Sequence, residues 1–274
     1  MIHTDCHLHS YFSSDSLAST KSMIEQGIKL GLSSMCLTEH LDYDYPENSE
    51  GLDFLLDFQS YQEELFALKE THQSKIEVLF GIELGLMKHL GDRYQKVLDT
   101  YPFDFAIGSS HLVNGIDPYD EPEYFDTYGQ YNGMLHYFES ILENIHSCKS
   151  LDYQVYGHLD YAIRYAPEKN KNFHFSDYED LIDDILRELI RQDKGIEVNT
   201  AGLRIGLGQP NPHRDILKRY HELGGSILTI GSDAHKPEDM AFGFDQIGDF
   251  LRSIGFDHYT IFRGRKPFDI PIEK

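Results

Sequence analysis

The sequence predicts an α/β fold in which parallel strands alternate with helices, as they do in a barrel. Short apolar runs recur along the whole chain, and each is followed by a turn and then by a longer segment of helical period. A histidine or a carboxylate also stands at the carboxyl end of almost every apolar run. Because α/β barrels of roughly 250 residues fold as one unit, we expect a single domain over residues 1–274.

Seven apolar runs are the predicted strands of the sheet, and an eighth near the end of the chain is a possible addition. Their lengths, four to six residues each, suit strands that are buried on both faces, as in a parallel sheet. In chain order the runs are residues 2–6, 34–38, 77–81, 103–108, 154–157, 195–199, 226–230 and 259–263.

Six segments with apolar residues three and four positions apart are predicted helices. Gly31 is the expected end of the first. Ser176 precedes Glu179 with the spacing of a capping box, so the fourth helix is expected to begin at residue 176. The segments are residues 20–30, 60–72, 130–147, 176–191, 211–223 and 239–254.

Charge and composition exclude several classes of protein. The chain has 46 acidic and 24 basic side chains and a formal net charge of -22, which does not suit a surface that coats nucleic acid. No apolar run approaches the roughly 20 residues that cross a bilayer. The three cysteines are scattered without paired spacing, as in reduced cytoplasmic proteins. We therefore expect a cytoplasmic protein with neither a nucleic-acid nor a membrane partner.

The side chains at the strand ends are of the types that bind metal ions. In a barrel these ends converge on one face, so residues far apart in sequence share one pocket. A lone histidine after a strand is more often a hydrogen-bonded loop residue than a ligand, but a coincidence at six strand ends is improbable. The candidates are His7, His9, His40, Glu83, His111, His158, Asp233 and His235.

Glu83 is informative because it lies in an apolar, glycine-flanked run, Gly81 to Gly85. It could cap a following helix or pair with a base. A buried carboxylate is costly unless a cation meets it, and a metal ion is the obvious candidate.

Several motifs together resemble the PHP (polymerase and histidinol phosphatase) family over nearly the whole chain. They are Asp5-Cys6-His7-Leu8-His9-Ser10, Thr38-Glu39-His40, Gly81-Ile82-Glu83, Ser110-His111, Gly157-His158 and Ser232-Asp233-Ala234-His235. Within the family, the chain length and the segment at residues 195–200 resemble the stand-alone members that hydrolyse L-histidinol phosphate in histidine biosynthesis.

The resemblance implies a distorted (β/α)7 barrel with three divalent transition-metal ions, either zinc, manganese or iron. A first ion would be held by His7, His9, Glu83 and Asp233, and Glu83 would bridge to a second ion held by His111 and His158. His40 and His235 would hold the third. Many relatives add a histidine to this third site, and the nearest match in this chain is Asp15.

This ligand set predicts a phosphomonoesterase acting on a small phosphate ester, with Glu83 and Asp233 as catalytic residues. Arg164, Arg204 and Tyr161 lie in segments that follow strands five and six and are candidate substrate contacts, although each arginine could equally pair with a surface acid. Asp233, Asp160 or a metal-bound water could protonate the leaving alcohol. The substrate's amine and imidazole could be received by acidic and aromatic loops, at Asp42, Asp44, Glu47, Asp117, Tyr119, Asp120 and Glu121.

Two other functions remain open at this point. One is a PHP phosphoesterase acting on a phosphotyrosyl protein or a nucleotide. The other is a non-catalytic, metal-stabilised binding module. This alternative is disfavoured because structural zinc sites are normally closed by four ligands and do not need a cluster of nine.

Overall fold

A computed structural model describes residues 2–48, 51–119 and 123–273. Seven parallel strands form one sheet in which each strand pairs with the next along the chain. They are β1 (Thr4–Leu8), β2 (Ser34–Leu41), β3 (Glu77–Gly85), β4 (Phe105–Ser109), β5 (Val155–Tyr156), β6 (Gly195–Asn199) and β7 (Leu228–Gly231).

Backbone hydrogen bonds between the ends of β1 and β7 close this sheet into a barrel. The amide of His9 donates to the carbonyl of Ala234 at 3.0 Å, and the amide of Asp233 donates to the carbonyl of His7 at 2.9 Å. The predicted seven-stranded α/β barrel is therefore confirmed.

Eight helices of the described chain connect the strands or follow them. They are α1 (Thr20–Leu30), α2 (Phe58–His72), α3 (Gly91–Thr100), α4 (Glu123–Ser147), α5 (Glu179–Arg191), α6 (Ala201–Arg204), α7 (Arg214–Glu222) and α8 (Phe244–Ile254). The sequence pattern did not predict α3 or α6. It predicted that α4 would start at residue 130, after the interruption at Gly129, whose φ is 69°.

The first helix has the predicted ends, but the fourth predicted helix does not. Ser19 accepts a hydrogen bond from the amide of Ser22 at the start of α1, and Gly31 adopts a left-handed φ of 76° at its end. In contrast, α5 begins at Glu179 without a side-chain cap. Ser176 lies in a separate 3-10 turn, Phe175–Asp177, so the predicted capping box is wrong.

The eighth apolar run does form a strand, but that strand lies outside the barrel. It is β8 (His258–Arg263), which pairs antiparallel with β9 (Lys266–Pro271). No barrel edge is left for it, because β1 and β7 bond to each other. Arg263 donates to Glu77, the first residue of β3, at 2.6 Å. The hairpin therefore contacts the amino end of the strands, opposite to the predicted site.

The barrel strands are buried on both faces, which explains their continuous apolar sequences. The strands also bury several histidines and carboxylates, among them His7, His40, Glu83 and Glu197. Within the described ranges no helix has the length and apolar character needed to span a bilayer. The three cysteines are buried free thiols, and a cytoplasmic location stays a prediction.

Candidate metal centre and cavity

The carboxyl ends of the barrel strands bring all nine predicted metal ligands to one region. His7, His40 and Glu83 lie within β1, β2 and β3, and the others lie in the loops that follow a strand. Each residue has at least one side-chain nitrogen or oxygen within 3.7 Å of another member of the set. The predicted ligands therefore lie close together at the carboxyl ends of the strands, as expected for a barrel.

Glu83 lies among five imidazoles, one of which is that of His40, whose Nδ1 is 3.0 Å from Oε2 of Glu83. Its Oε2 is 3.1 Å from Nε2 of His7 and 3.6 Å from Nε2 of His9. Its Oε1 is 2.9 Å from Nε2 of His158 and 3.3 Å from Nε2 of His111. With its side chain fully buried, Glu83 is placed to bridge two cations.

Asp233 completes the first of these groups. Its Oδ1 lies 3.7 Å from Nε2 of His7 and 3.6 Å from Nε2 of His9. Asp233 has a φ of 54°, in the left-handed region that non-glycine residues rarely adopt. Such backbone strain concentrates at functional sites, where the surrounding structure maintains it.

Asp15, His40 and His235 form a third group at the rim. Oδ2 of Asp15 is 3.0 Å from Nε2 of His235 and 3.6 Å from Nε2 of His40, and the two Nε2 atoms are 3.4 Å apart. The carboxylate of Asp15 therefore lies where it could act as a third metal ligand beside the two imidazoles.

His9 supplies a direct test of whether this cluster suits a cation. Its Nδ1 contacts the hydroxyl of Ser13 at 3.1 Å, whereas its Nε2 is buried and has no hydrogen-bond partner among the described residues. A buried imidazole nitrogen without a partner is unfavourable unless a metal ion or a proton donor meets it. The donor set therefore fits transition-metal ions, which imidazole and carboxylate ligands bind well.

Ligand atoms within 4.8 Å of one another define four sets of three among the residues that the structure describes. The sets are His9, His40 and His235; His7, Glu83 and His158; His7, His9 and Asp233; and His40, Glu83 and His111. These clusters can hold metal ions.

The charges of the cluster stabilise one another. Burial alone would raise the pKa of Glu83, but the imidazoles of His7 and His40 outweigh it and hold that pKa well below its usual range. The pKa of Asp233 is likewise well lowered, since His7 and Arg164 outweigh the effect of burial. Burial and the neighbouring His40 and His235 lower the pKa of His9. Both carboxylates thus remain ionised and His9 neutral, whereas, despite burial, nearby carboxylates raise the pKa values of His7, His40 and His111, which must lose a proton before they bind a metal ion.

Two further carboxylates orient the histidines, and neither was predicted from the sequence to belong to the metal site. Oε1 of Glu197 is 2.5 Å from Nδ1 of His7, and Oδ1 of Asp42 is 2.7 Å from Nδ1 of His111. Such outer carboxylates fix the ring and direct Nε2 toward the metal. Glu197 carried the same signal as Glu83, a carboxylate inside an apolar strand.

A cavity of about 540 Å³ opens over the cluster, within the usual range for small-molecule sites. His7, His9 and Glu83 are fully buried and do not line it. Its lining includes Asp15, His40, Asp42, Tyr45, Leu52, Phe54, His111, Asp117, Tyr119, His158, Tyr161, Arg164, Tyr165, Lys169, Ala201, Arg204, Ile205, Asp233 and His235.

All three predicted substrate contacts line this cavity. Arg164 donates from Nη1 to Oδ2 of Asp233 at 3.0 Å, and its buried Nη2 has no partner among the described residues. Arg204 donates to the carbonyls of Ser232 and Asp233 at 3.1 and 3.2 Å. The hydroxyl of Tyr161 donates to Asp117 at 3.3 Å. Arg164 thus keeps a donor available, whereas Arg204 holds the turn that carries Asp233.

Only some of the acidic and aromatic loop residues that the sequence suggested as substrate contacts line the cavity. Asp42, Asp117 and Tyr119 line the cavity. Asp44 instead binds His89 and Arg93 outside it, and Glu47 is exposed and does not line it. Asp120 and Glu121 lie outside the described residues.

Asp160, one of the candidate proton donors, is engaged elsewhere. Burial raises its pKa to about 6, and its two oxygens accept hydrogen bonds from Asn211 at 2.6 Å and from the amide of His213 at 2.7 Å. It does not line the cavity, so it is poorly placed to reach a substrate there.

Fold and site together define an α/β barrel with a candidate metal centre at the carboxyl ends of its strands. In a comparison with known protein families, residues 5–201 match the model of the PHP domain. This match covers most of the chain. The chain therefore belongs to the PHP family.

Two named relatives are similar to this chain over most of their length. A histidinol-phosphatase from Lactococcus lactis is 29% identical, with 96% of this chain and 95% of the relative covered. A probable histidinol-phosphatase from Clostridium acetobutylicum is 32% identical, with 88% and 89% covered.

Solved structures agree with the fold. A crystal structure of histidinol phosphate phosphatase from Lactococcus lactis, complexed with zinc, L-histidinol and phosphate, superposes with a TM-score of 0.86. It is 28% identical, with 97% of this chain and 98% of that chain covered. A putative histidinol phosphatase from Listeria monocytogenes has a TM-score of 0.74 at 21% identity and covers 88% of this chain, a similarity that concerns the fold alone.

Proposed function

We propose that this protein is a metal-dependent phosphomonoesterase that hydrolyses L-histidinol phosphate to L-histidinol and phosphate, a step of histidine biosynthesis. The observation that carries the proposal is that the donor cluster and the unpartnered Nη2 of Arg164 adjoin one cavity of small-molecule size. The similarity to an enzyme solved with zinc, L-histidinol and phosphate supports the choice of substrate.

Three divalent ions, whether zinc, manganese or iron, suit the donors. We assign His7, His9, Glu83 and Asp233 to the first ion. Glu83, His111 and His158 are assigned to the second, and Asp15, His40 and His235 to the third. When bound, such ions activate water for attack on phosphorus and neutralise the charge that develops on the phosphoryl and leaving oxygens.

The chain's own groups bind the phosphate and move the proton. Arg164 donates from its free Nη2 to a phosphoryl oxygen, and its other nitrogens remain bonded to Asp233 and Asn211. Arg204 fixes the turn at Ser232 and Asp233 and adds positive charge to the cavity wall. Asp233 lines the cavity and Asp160 does not, so Asp233 or a metal-bound water would protonate the leaving oxygen.

The remainder of the substrate requires partners for an ammonium and an imidazole. Asp42 and Asp117 offer carboxylates on the cavity wall, and Tyr161 and Phe54 offer aromatic faces beside them. A carboxylate attracts the ammonium, and an aromatic face packs against the planar imidazole. Binding energy from these contacts would favour histidinol phosphate over simpler esters.

A comparison of substrates tests this function. We expect kcat/KM for L-histidinol phosphate to exceed that for p-nitrophenyl phosphate by orders of magnitude, because remote contacts stabilise the transition state. Equal rates on both esters and on a phosphotyrosyl peptide would contradict the substrate. Absence of all phosphatase activity from metal-loaded protein would instead favour a non-catalytic module.

Replacement of the phosphate-binding guanidinium gives a second, independent measurement. Arg164→Ala should lower kcat/KM by roughly a hundredfold, the effect of losing a charge-assisted contact. Metal content should be retained, since Arg164 is not an assigned ligand. Arg265→Ala is the matched control, because Arg265 binds Leu98 and Asp152 away from the cavity. Unchanged kcat/KM in Arg164→Ala would remove Arg164 from the phosphate site.

A further inference from the structure

The hydroxyl of Ser13 joins three groups at the edge of the metal cluster. Its Oγ is 2.6 Å from Oε2 of Glu39, 3.1 Å from Nδ1 of His9 and 3.0 Å from the backbone nitrogen of His40. Ser13, Glu39 and His9 are almost completely buried. Because water does not reach these groups, each hydrogen bond must be made within the protein.

The direction of each bond follows from the donors and acceptors available. The backbone nitrogen of His40 can only donate to Ser13. Glu39 accepts from the amide and hydroxyl of Ser10 as well as from Ser13, so its two oxygens act as acceptors throughout. The single hydroxyl proton of Ser13 therefore goes to Glu39.

This leaves Ser13 one role toward His9. Its oxygen has two lone pairs, one of which accepts the amide proton of His40, and the other faces Nδ1 of His9. Nδ1 must carry the proton, so Nε2 carries the lone pair. That Nε2 is the buried atom without a partner, directed between Glu83 and Asp233.

We propose that Glu39 is a positioning residue that acts through Ser13 to fix the Nδ1-protonated tautomer of His9 and so presents Nε2 to a metal ion. The proposal rests on the metal site assigned above. Glu39 touches neither the cavity nor an assigned ligand atom. Its effect on the cluster is transmitted by the direction of two hydrogen bonds.

The proposal is tested by a variant in which the two hydrogen bonds of Ser13 run in the opposite direction. The single variant Ser10→Ala is the reference for that variant. In Ser10→Ala, Glu39 loses one 2.6 Å hydrogen bond but keeps its contact with Ser13. In Ser10→Ala/Glu39→Gln, the backbone N–H of residue 10, which lies 3.1 and 3.0 Å from the two oxygens of Glu39, takes the amide oxygen, and Ser13 offers the remaining acceptor for the amide NH2. Ser13 then accepts from residue 39 and from His40, and must donate to His9.

The experiment is nitrogen-15 NMR of the imidazoles in metal-free protein, with the His9 signals identified by their loss in His9→Asn. We expect the wild type and Ser10→Ala to have protonated Nδ1 at His9. Ser10→Ala/Glu39→Gln should have protonated Nε2. Retention of protonated Nδ1 in the double variant would overturn the proposal.

Zinc affinity, measured by competition with a chelator, gives the second readout. Outer-shell changes typically weaken metal binding by about 10- to 100-fold, and we expect this loss in the double variant relative to Ser10→Ala. Ser13→Ala serves if the double variant does not fold. In Ser13→Ala, His9 should no longer occupy a single tautomer, and the protein should bind zinc more weakly than the wild type. Wild-type behaviour of Ser13→Ala in both measurements would overturn the proposal.

The two proposals fail separately. The tautomer of His9 is measured without metal and without substrate, so it tests Glu39 whatever the reaction is. Normal zinc binding in the wild type without phosphatase activity would contradict the proposed function alone.

Discussion

Glu83 and Asp233 are buried carboxylates whose charge is balanced within the described structure by imidazoles and one guanidinium. Ionised carboxylates are rarely kept in a barrel interior unless cations repay the loss of hydration. At these two residues the lowered pKa values, the short contacts and the strained backbone of Asp233 point to the same role, that of anionic metal ligands.

Removal of either carboxylate should remove metal as well as activity. Glu83→Ala and Asp233→Ala should each lower turnover by about a thousandfold or more, because a bridging or anchoring ligand is lost. Metal analysis of the purified variants should show fewer equivalents than in the wild type. Glu77→Ala is the matched control on the same strand, since Glu77 lies at the opposite end of β3 and pairs with Arg263. Near-normal turnover in either site variant would exclude that residue.

Asp15 is the carboxylate that we assign to the third ion. We expect Asp15→Ala to lose one metal ion and keep two, because His40 and His235 alone leave the third site under-coordinated. Asp15→His should restore the third ion if the loop can place an imidazole. Retention of all three ions in Asp15→Ala, measured by elemental analysis, would take Asp15 out of the site.

At the scale of the elements, glycines at the strand ends allow the functional side chains to pack closely. A Cβ on Gly85 of β3 would lie 1.9 Å from Oδ1 of Asp42, which orients His111. A Cβ on Gly231 of β7 would lie 2.3 Å from Cβ of His7 and 2.6 Å from Oε1 of Glu197. These positions need glycine because of close approach and not because of their backbone angles.

Gly231→Ala should therefore disturb the site without changing any functional side chain. The added methyl group meets the fixed Cβ of His7, so β1 or β7 must shift, and overpacking of this kind costs typically 1–3 kcal/mol. We expect lower metal content and a lower unfolding temperature. Gly248→Ala in α8 is the control, because the atoms nearest to its Cβ would be side-chain atoms at 3.3 Å or more, the first of them on Ile272. Equal metal content in Gly231→Ala and the wild type would show that the two strands can adjust.

At the scale of the whole molecule, a strongly negative protein holds a cavity with local positive groups. The net charge is -22, yet Arg164, Arg204 and Lys169 line the cavity beside the six-histidine cluster. Four aspartates line the same cavity, so bound divalent ions would supply the net positive charge that attracts a phosphate dianion despite the overall repulsion.

Metal binding should stabilise the barrel as a whole, because the assigned ligands come from six of its seven strands or the loops after them. An ion present at 100 times its Kd stabilises the folded state by about 2.7 kcal/mol, which raises the unfolding temperature of a chain of this size by roughly 5–10 °C. Chelation should lower that temperature and abolish phosphatase activity, and added zinc, manganese or iron should restore both. Full activity in protein shown by elemental analysis to be free of metal would contradict the metal site.

The sequence by itself determined the barrel, most of its helices and the side chains at its strand ends. Buried parallel strands read as apolar runs, and a polar residue such as Glu83 stands out in them because burial of a charge needs a partner. The grouping of the ligands came from the family resemblance. Glu197 could have been found by the same reasoning, because it too interrupts an apolar strand.

The tertiary structure decided what depends on contacts between distant segments. Only the closure of β1 on β7 excludes β8 from the barrel, and only the folded loops bring Asp42 to His111 and Ser13 to Glu39. The engagement of Asp160 by Asn211 and His213 away from the cavity was likewise open in the sequence, since Asp160 and Asp233 are both acidic residues near strand ends. Hydrogen-bond direction, burial and access to the cavity are properties of atoms in space, and no local pattern of residues encodes them.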